Sequence, residues 1–252
     1  MADDTKAKLI IDYLKLHNLV TVNELVSVTG LSAATIRREL VRLDNEGVVY
    51  RVHGGVTLNR FVPAQPTTSE KQGQHAVEKT AIAAAAAAMI HANDAVVLDA
   101  GTTTYKIAQN LINTPVRVIT PDLRIGLLLA DYQQIEVSVT GGSIDWSSQS
   151  CIGPHAVSML RQIHPTYTFL SCNAFNVATG ITAPTYEKAY IKQTLLKQSS
   201  KRILVADSSK YGLTQLFEVG ELKELDTIIT DKHLDPAAAT EIRRLGVELI
   251  LC

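Results

Sequence analysis

The segment Leu98-Asp99-Ala100-Gly101-Thr102-Thr103-Thr104 places a glycine and three hydroxyls between an apolar run and a helical pattern. Glycine lets the backbone approach a ligand closely, and free N–H groups at a helix N-terminus favour an anion. Plain capping needs one threonine, so the other two stand as extra donors. No Gly-Lys-Thr follows, which argues against a nucleoside-triphosphate loop. Similar junctions occur at Thr120-Pro121-Asp122, at Thr140-Gly141-Gly142, and from Asp207 to Gly212, the last holding Lys210. A further segment, Tyr186 to Lys192, opens a helix with Glu187 and Lys192 about a turn and a half apart. Lysines beside such a cradle neutralise an anion as point cations. The expected anion-binding set is therefore Asp99, Gly101, Thr102, Thr103, Thr104, Asp122, Gly141, Gly142, Glu187, Lys192 and Lys210.

A second group of residues suits a different chemistry. Ser32 caps a predicted helix over 33–46, stopped by Gly47. On a wheel with Ile36 at zero, Leu40 and Leu43 fall within roughly 40° of it, while Thr35, Arg38 and Arg42 fall on the opposite side and Arg37 on the flank. Arginine makes bidentate contacts to guanine edges and reaches phosphate oxygens, and a major groove admits one α-helix. Upstream, Thr21-Val22-Asn23-Glu24 is a capping box opening a helix through Val28, and Thr29-Gly30-Leu31 is a tight turn. Two helices joined by a short turn make a helix-turn-helix. An earlier helix over 6–16 aligns Ile10, Ile11 and Leu14, and 48–58 reads as a small wing around Gly54-Gly55. The expected DNA contacts are Ser32, Thr35, Arg37, Arg38, Arg42, Arg51, His53, Gly54 and Gly55.

The anion-site residues need a scaffold, and residues 76–252 supply a pattern for one. Apolar runs at 95–98, 116–120, 136–140, 167–172, 202–206, 227–230 and 247–251 alternate with helical stretches at 104–112, 123–132, 154–163, 186–199 and 236–245. Such alternation predicts a mainly parallel sheet covered by helices, with ligands at the carboxyl ends of its strands. Seven alanines in 81–88 fit a helix, 76–90, packed closely on that sheet. The run from Asn59 to Ser69 holds two prolines and a polar Thr/Ser stretch, the composition of a linker. The division expected is 1–58 for the winged helix-turn-helix, 59–75 for the linker and 76–252 for the α/β domain.

Bulk composition limits the remaining classes. The chain has 252 residues, 46% hydrophobic and 19% charged, with a formal net charge of −1. That balance excludes polybasic binding of nucleic acid. Divided at residue 60, the head holds eight basic and seven acidic side chains and the body 16 and 18. Cys151, Cys172 and Cys252, 21 and 80 residues apart, suit neither a disulfide framework nor a zinc cluster. The seven histidines form no metal-ligand pair, so neither metal nor cofactor is expected. The N-terminus lacks signal-peptide character and the longest uncharged stretch, 162–186, is too polar to span a bilayer, giving a cytoplasmic expectation with no membrane partner.

The ordered residues Ser32, Thr35-Ile36-Arg37-Arg38-Glu39-Leu40, Leu43, Gly47, Arg51 and His53-Gly54-Gly55 resemble the DNA-binding signature of the DeoR family of bacterial transcriptional regulators. That family usually has Asp at the position of Glu39 and often Ala at that of Val56. Counterparts of its effector domain follow in order: Asp99, Gly101-Thr102-Thr103, Gly141-Gly142, Gly153, Gly180-Ile181-Thr182, Glu187 with Lys192, and Asp207 to Gly212. The resemblance covers nearly the whole chain. It implies a sensor domain similar to ribose-5-phosphate isomerase that binds a phosphorylated sugar and alters affinity for operator DNA. Repression of a carbohydrate catabolism operon is implied, and a homo-oligomer, dimer or tetramer, is expected on repeated half-sites. Pro121 replaces the family's usual Asn, and Ser171 and Ala174 stand where glycines are common, all near the non-phosphate end of the expected ligand.

Two other classes compete with the regulator. A sugar-phosphate isomerase or deaminase would use Glu187 as general base with Asp99 or Lys192 as partner, but it has no use for Arg37 and Arg38. RNA binding would need an aromatic platform, and only 5% of residues are aromatic. Trp146 either covers a ligand or packs at a contact.

Overall fold

A computed structural model of the chain describes residues 2–17, 20–46, 48–52, 55–57 and 67–252. It separates into two units, Met1–Pro66 and Thr67–Cys252.

In the first unit, helices α1 (Ala2–Leu16), α2 (Val22–Thr29) and α3 (Ala33–Asn45) are followed by an antiparallel ribbon of β1 (Tyr50–Val52) and β2 (Gly55–Thr57). The capping box forms: Glu24 N–H donates to Thr21 Oγ1 at 3.2 Å and Thr21 N–H to the Glu24 carboxylate at 2.6 Å. Gly30 ends α2 at φ 69°, a left-handed conformation that few other residues adopt cheaply. Ile10, Leu14, Leu25, Ile36, Leu40, Leu43, Val49 and Val56 make one apolar core. Fully buried side chains such as Ile10, Leu25 and Ile36 each contribute about 1.5–3 kcal/mol. Val20, just before α2, pairs antiparallel with Val56 and so ties the ribbon to the helices. This is a winged helix-turn-helix.

The second unit contains helices α4 (Thr68–Gln72) and α5 (Ala76–Ala87), then β3 (Ala95–Leu98), α6 (Thr102–Asn110), β4 (Arg117–Thr120), α7 (Leu123–Ala130) and β5 (Glu136–Val139). A hairpin of β6 (Ser143–Asp145) and β7 (Ser150–Ile152) leads to α8 (Pro154–Leu160) and β8 (Tyr167–Leu170). After β9 (Ala174–Asn176), β10 (Gly180–Ala183) and α9 (Tyr186–Gln198) come β11 (Lys201–Val205), β12 (Phe217–Gly220), β13 (Thr227–Thr230), α10 (Pro236–Arg244) and β14 (Glu248–Leu251).

The main sheet has the order β14-β13-β11-β8-β3-β4-β5, and every neighbouring pair is parallel. Apolar clusters lie on both of its faces. Ile82, Ala83 and Ala86 of the alanine-rich α5 pack with Ile107, Ala108 and Leu111 on one. The other joins α8, α9 and α10 to the small antiparallel sheet β12-β10-β9. From β3 the chain proceeds outward through β4 and β5, and from β8 it proceeds the opposite way through β11, β13 and β14. The order therefore reverses between β3 and β8, and such a reversal opens a crevice at the carboxyl ends of the two strands. Asp99 and Ser171, the residues immediately after β3 and β8, stand at that crevice.

The seven strands of this sheet are the seven apolar runs predicted. One prediction needs correction: the linker was placed at 59–75, yet Thr68–Gln72 is a helix belonging to the second unit. Thr67 caps it against Glu70 in a complete capping box, and Thr68 is buried, its N–H donating to Ser147 O at 3.0 Å. The nearby prolines and the polar composition hid a helix start that Thr67 and Glu70 themselves signal.

Candidate nucleic-acid interface and anion site

Helix α3 presents Arg37 and Arg38 to solvent, while Ile36, Leu40 and Leu43 face inward. Ser32 caps it, its Oγ accepting from Thr35 N–H at 3.2 Å and lying 2.9 Å from Thr35 Oγ1, so both side chains order the first turn. Arg42 departs from the picture of a free cation. Its guanidinium donates to Glu39 at 3.0 and 3.2 Å and to Glu46 at 2.8 Å. Glu39 is buried at 6% exposure, and Arg42 compensates its charge. Pairs three and four apart on a helix meet side by side; the wheel placed Arg42 on the outward side without weighing those neighbours. Arg51 lies in β1 opposite Val56 and Gly55 opens β2. The Arg51 side chain, Gly47, His53 and Gly54 lie outside the described residues.

At the crevice of the second unit, Asp99 is 2% and Lys192 is 6% exposed, and the Lys192 ammonium donates to Asp99 Oδ2. Lys192 also donates to Ser171 O at 2.8 Å, and Ser171 N–H donates to Asp99 Oδ2 at 3.0 Å. Ser171 Oγ donates to Ala100 O at 2.6 Å. Three elements, β3, β8 and α9, are thus locked at the point of reversal. A Cβ on Gly101 would stand 2.8 Å from Ser171 Cβ and Oγ, so the glycine leaves room for the serine that occupies a common glycine position of the family.

The threonines divide by role. Gly101 is the N-cap, and Thr102, Thr103 and Thr104 form the first turn of α6, not a loop before it. Thr104 is fully buried and donates to Gly101 O at 2.9 Å, so it shapes the turn and is withdrawn from the anion-facing set. The Thr102 and Thr103 hydroxyls make no hydrogen bond among the described residues, and the first N–H groups of α6 have no acceptor within the helix. Asp122 is fully buried and caps α7, accepting from Arg124 N–H at 2.8 Å and Ile125 N–H at 3.3 Å, and it accepts from Gly101 N–H at 3.2 Å. Burial raises its pKa, opposed by Arg124, whose guanidinium lies 3.0 Å away. Asp122 positions the cradle.

Gly141 and Gly142 turn into the β6–β7 hairpin at φ 69° and 111°. A Cβ on Gly142 would meet Ile152 O at 2.6 Å. Pro121 keeps a backbone role, its carbonyl accepting from Cys151 N–H at 2.7 Å. Glu187 is exposed and lies roughly 140° round α9 from Lys192 at 3.6 residues per turn, so the geometry does not bring these two together. Trp146 is 68% exposed.

Lysines outside the expected set lie close to it. Lys188, one turn before Lys192, donates to Ser147 Oγ at 2.9 Å and pairs with Asp145 at 3.1 Å. Burial works to raise Asp145, but hydrogen bonds from Ser147 and Ser148 and the charge of Lys188 outweigh it and hold the carboxyl at about 2. Lys79 of α5 is 3% exposed and donates to the carbonyls of Lys71 and Gln74 at 2.7 Å each. Lys71 of α4 has no hydrogen-bond or ion-pair partner for its ammonium among the described residues. Burial, reinforced by the charges of Lys188, Lys210, Lys192 and Lys79, pushes its ammonium down to about 7. Lys210 lies in the short 3₁₀ turn after β11, its N–H donating to Asp207 O at 3.1 Å, and its ammonium also has no partner among the described residues. Its loop is set by Asp231, which accepts from Ser208 N–H at 2.7 Å and Ser208 Oγ at 2.8 Å. Five ammonium groups, those of Lys71, Lys79, Lys188, Lys192 and Lys210, gather here, and the carboxylates of Asp99, Asp145, Asp207 and Glu78 act on members of the group. Beside them the Cys172 thiol is pushed up to about 12 by burial, against the pull of the lysines, and is no nucleophile at neutral pH.

Comparison with known proteins matches both units. Residues 7–61 match the family model of the DeoR-like helix-turn-helix domain, and residues 74–232 that of the DeoR C terminal sensor domain. An uncharacterized HTH-type transcriptional regulator of Haemophilus influenzae is 36% identical over 247 residues, covering 98% of this chain and 96% of its own length. The HTH-type transcriptional repressor GlcR of Bacillus subtilis is 30% identical over 251 residues, covering 100% of this chain and 97% of its own. Among solved structures, ribose 5 phosphate isomerase A from Neisseria gonorrhoeae aligns with a TM-score of 0.40 at 18% identity, over 55% of this chain and 54% of its own. With both domain models matched in order and relatives aligned end to end, the chain is a member of the DeoR family of helix-turn-helix DNA-binding transcriptional regulators.

Proposed function

We propose that the protein represses transcription by placing α3 in the major groove of an operator, with Arg37 and Arg38 reading bases or phosphates, and that a phosphorylated sugar bound between β3 and β8 changes its operator affinity. The observation that carries the ligand class is the lysine cluster. Lys71 lies in the field of Lys188, Lys192 and Lys210, its helix α4 packs on α6, and Lys192 is held by Asp99 just before α6; burial first, and then these positive charges, disfavour the Lys71 ammonium, which an anion would favour. A phosphate supplies that charge and accepts from the Thr102 and Thr103 hydroxyls and the α6 N–H groups. Thr102, Thr103, Lys71 and Lys210 are the direct contacts in this reading. Asp99, Gly101, Thr104, Asp122, Ser171 and Lys192 hold the cradle in shape. Gly141 and Gly142 fix the hairpin that carries Asp145 and Ser147, and Glu187 remains on the rim. Control of a carbohydrate operon, a cytoplasmic location and a homo-oligomer on repeated half-sites belong to the same reading.

A thermal-shift screen of sugar phosphates against the parent neutral sugars tests it, because a ligand of the native state raises apparent stability by mass action. Phosphorylated compounds should raise the midpoint and neutral sugars should not. Equal shifts with both would remove the anion from the account.

A further inference from the structure

Helix α4 has features that a linker does not need. It is attached at both ends: Thr68 N–H and Oγ1 donate to Ser147 O at 3.0 and 3.2 Å, and Lys79 donates to the carbonyls of Lys71 and Gln74. It also packs against α6, whose first turn is the threonine cradle. Ser147 is itself held within the site, donating to Asp145 at 2.6 Å and accepting from Lys188 at 2.9 Å. A continuous set of hydrogen bonds therefore runs from Lys188 through Ser147 to Thr68. In sequence, α4 is the first element after the DNA-binding unit, which ends at Pro66.

We propose that α4 is a strap over the anion site: Lys71 donates to the bound anion, and binding thereby fixes the element that directly follows the DNA-binding unit in the chain. The inference rests on the anion-site reading and adds to it the residue and helix through which occupancy is passed on. Lys71 faces Lys79 from α5, Lys188 and Lys192 from α9, and Lys210 from the turn after β11. Asp99 is engaged by Lys192, Asp145 by Lys188, and Asp207 by Ser209. The one charged residue of α6 is Lys106, which acts on Lys79, and Glu70 of α4 accepts from Thr67. The Lys79 and Lys210 ammonium groups have no ion-pair partner among the described residues, Asp207 and Glu78 act on Lys79, and the charges that act most on Lys71 are all positive. An anion at its ammonium favours the protonated form that burial and the neighbouring lysines disfavour, so binding takes up a proton.

Sulfate is a suitable probe because it does not titrate between pH 6 and pH 8.5. Calorimetric titration of the full-length protein at those two pH values should show affinity falling by at least about tenfold at the higher pH. Lys71→Met should bind more weakly at pH 6 and lose most of that slope. Lys71→Arg should bind at both pH values, its guanidinium staying charged. Hydrogen exchange across residues 67–74 should slow on adding sulfate to the wild type and to Lys71→Arg, and stay unchanged in Lys71→Met. Unaltered affinity and slope in a folded Lys71→Met, or exchange at 67–74 indifferent to sulfate, overturns the strap and leaves the anion site standing. Wild-type protein that binds no sulfate at either pH overturns both.

Discussion

Lys192 shows how a charged residue at the proposed site takes a structural role. It holds Asp99 and the Ser171 carbonyl together where the strand order reverses, and both charges are more than nine-tenths buried. Removing one partner of a buried pair leaves the other uncompensated. Lys192→Met should therefore lower unfolding free energy by about 3–5 kcal/mol in urea titration, and adding Asp99→Asn should recover part of the loss. A change near zero for the single variant would mean that solvent reaches Asp99 freely. The pairing itself was not legible in the sequence. Asp99 and Lys192 are 93 positions apart, and only the parallel alignment of β3 with β8 and the packing of α9 bring them together. Glu187 shows the converse: next to Lys188 in sequence, it points away from the cluster because neighbouring residues on a helix face different directions.

At the scale of elements, α3 was readable because its signals are local. Ser32 caps it, Ile36, Leu40 and Leu43 recur at helical spacing, and the structure buries those three. The same wheel left out lateral pairing, and this divides its arginines into two kinds. Arg37 and Arg38 are exposed, whereas Arg42 is held by Glu39 and Glu46. Arg38→Ala should leave the unfolding midpoint within experimental error and weaken specific DNA binding by about 1–3 kcal/mol. Arg42→Ala should instead lower stability, because Glu39 stays buried without its partner. DNA titrations and melts of the two variants distinguish the roles, and equal losses of DNA affinity with no loss of stability would put all the arginines in one class. Strands β6, β7, β9, β10 and β12 were illegible for another reason. They are antiparallel to partners distant in sequence or across tight turns, and each carries polar residues or glycine within its three or four positions, so no apolar run marks them.

For the whole molecule, near-neutral charge points to selective DNA contacts rather than bulk attraction, and the two units leave room for the proposed control by a ligand. The alternating pattern of residues 76–252 revealed the parallel sheet, but not that its order reverses between β3 and β8, where the proposed site lies. The cluster of lysines from α4, α5, α9 and the turn after β11 exists only in the folded unit. A ligand there alters DNA binding only by binding two states of the protein unequally. The most direct measurement is fluorescence anisotropy of DNA selected by the protein from a random pool, titrated with and without a saturating sugar phosphate that raises the melting midpoint. The account predicts an operator Kd shifted by at least about fivefold, the lower end of ordinary coupling free energies. An unchanged Kd with the site filled would contradict it.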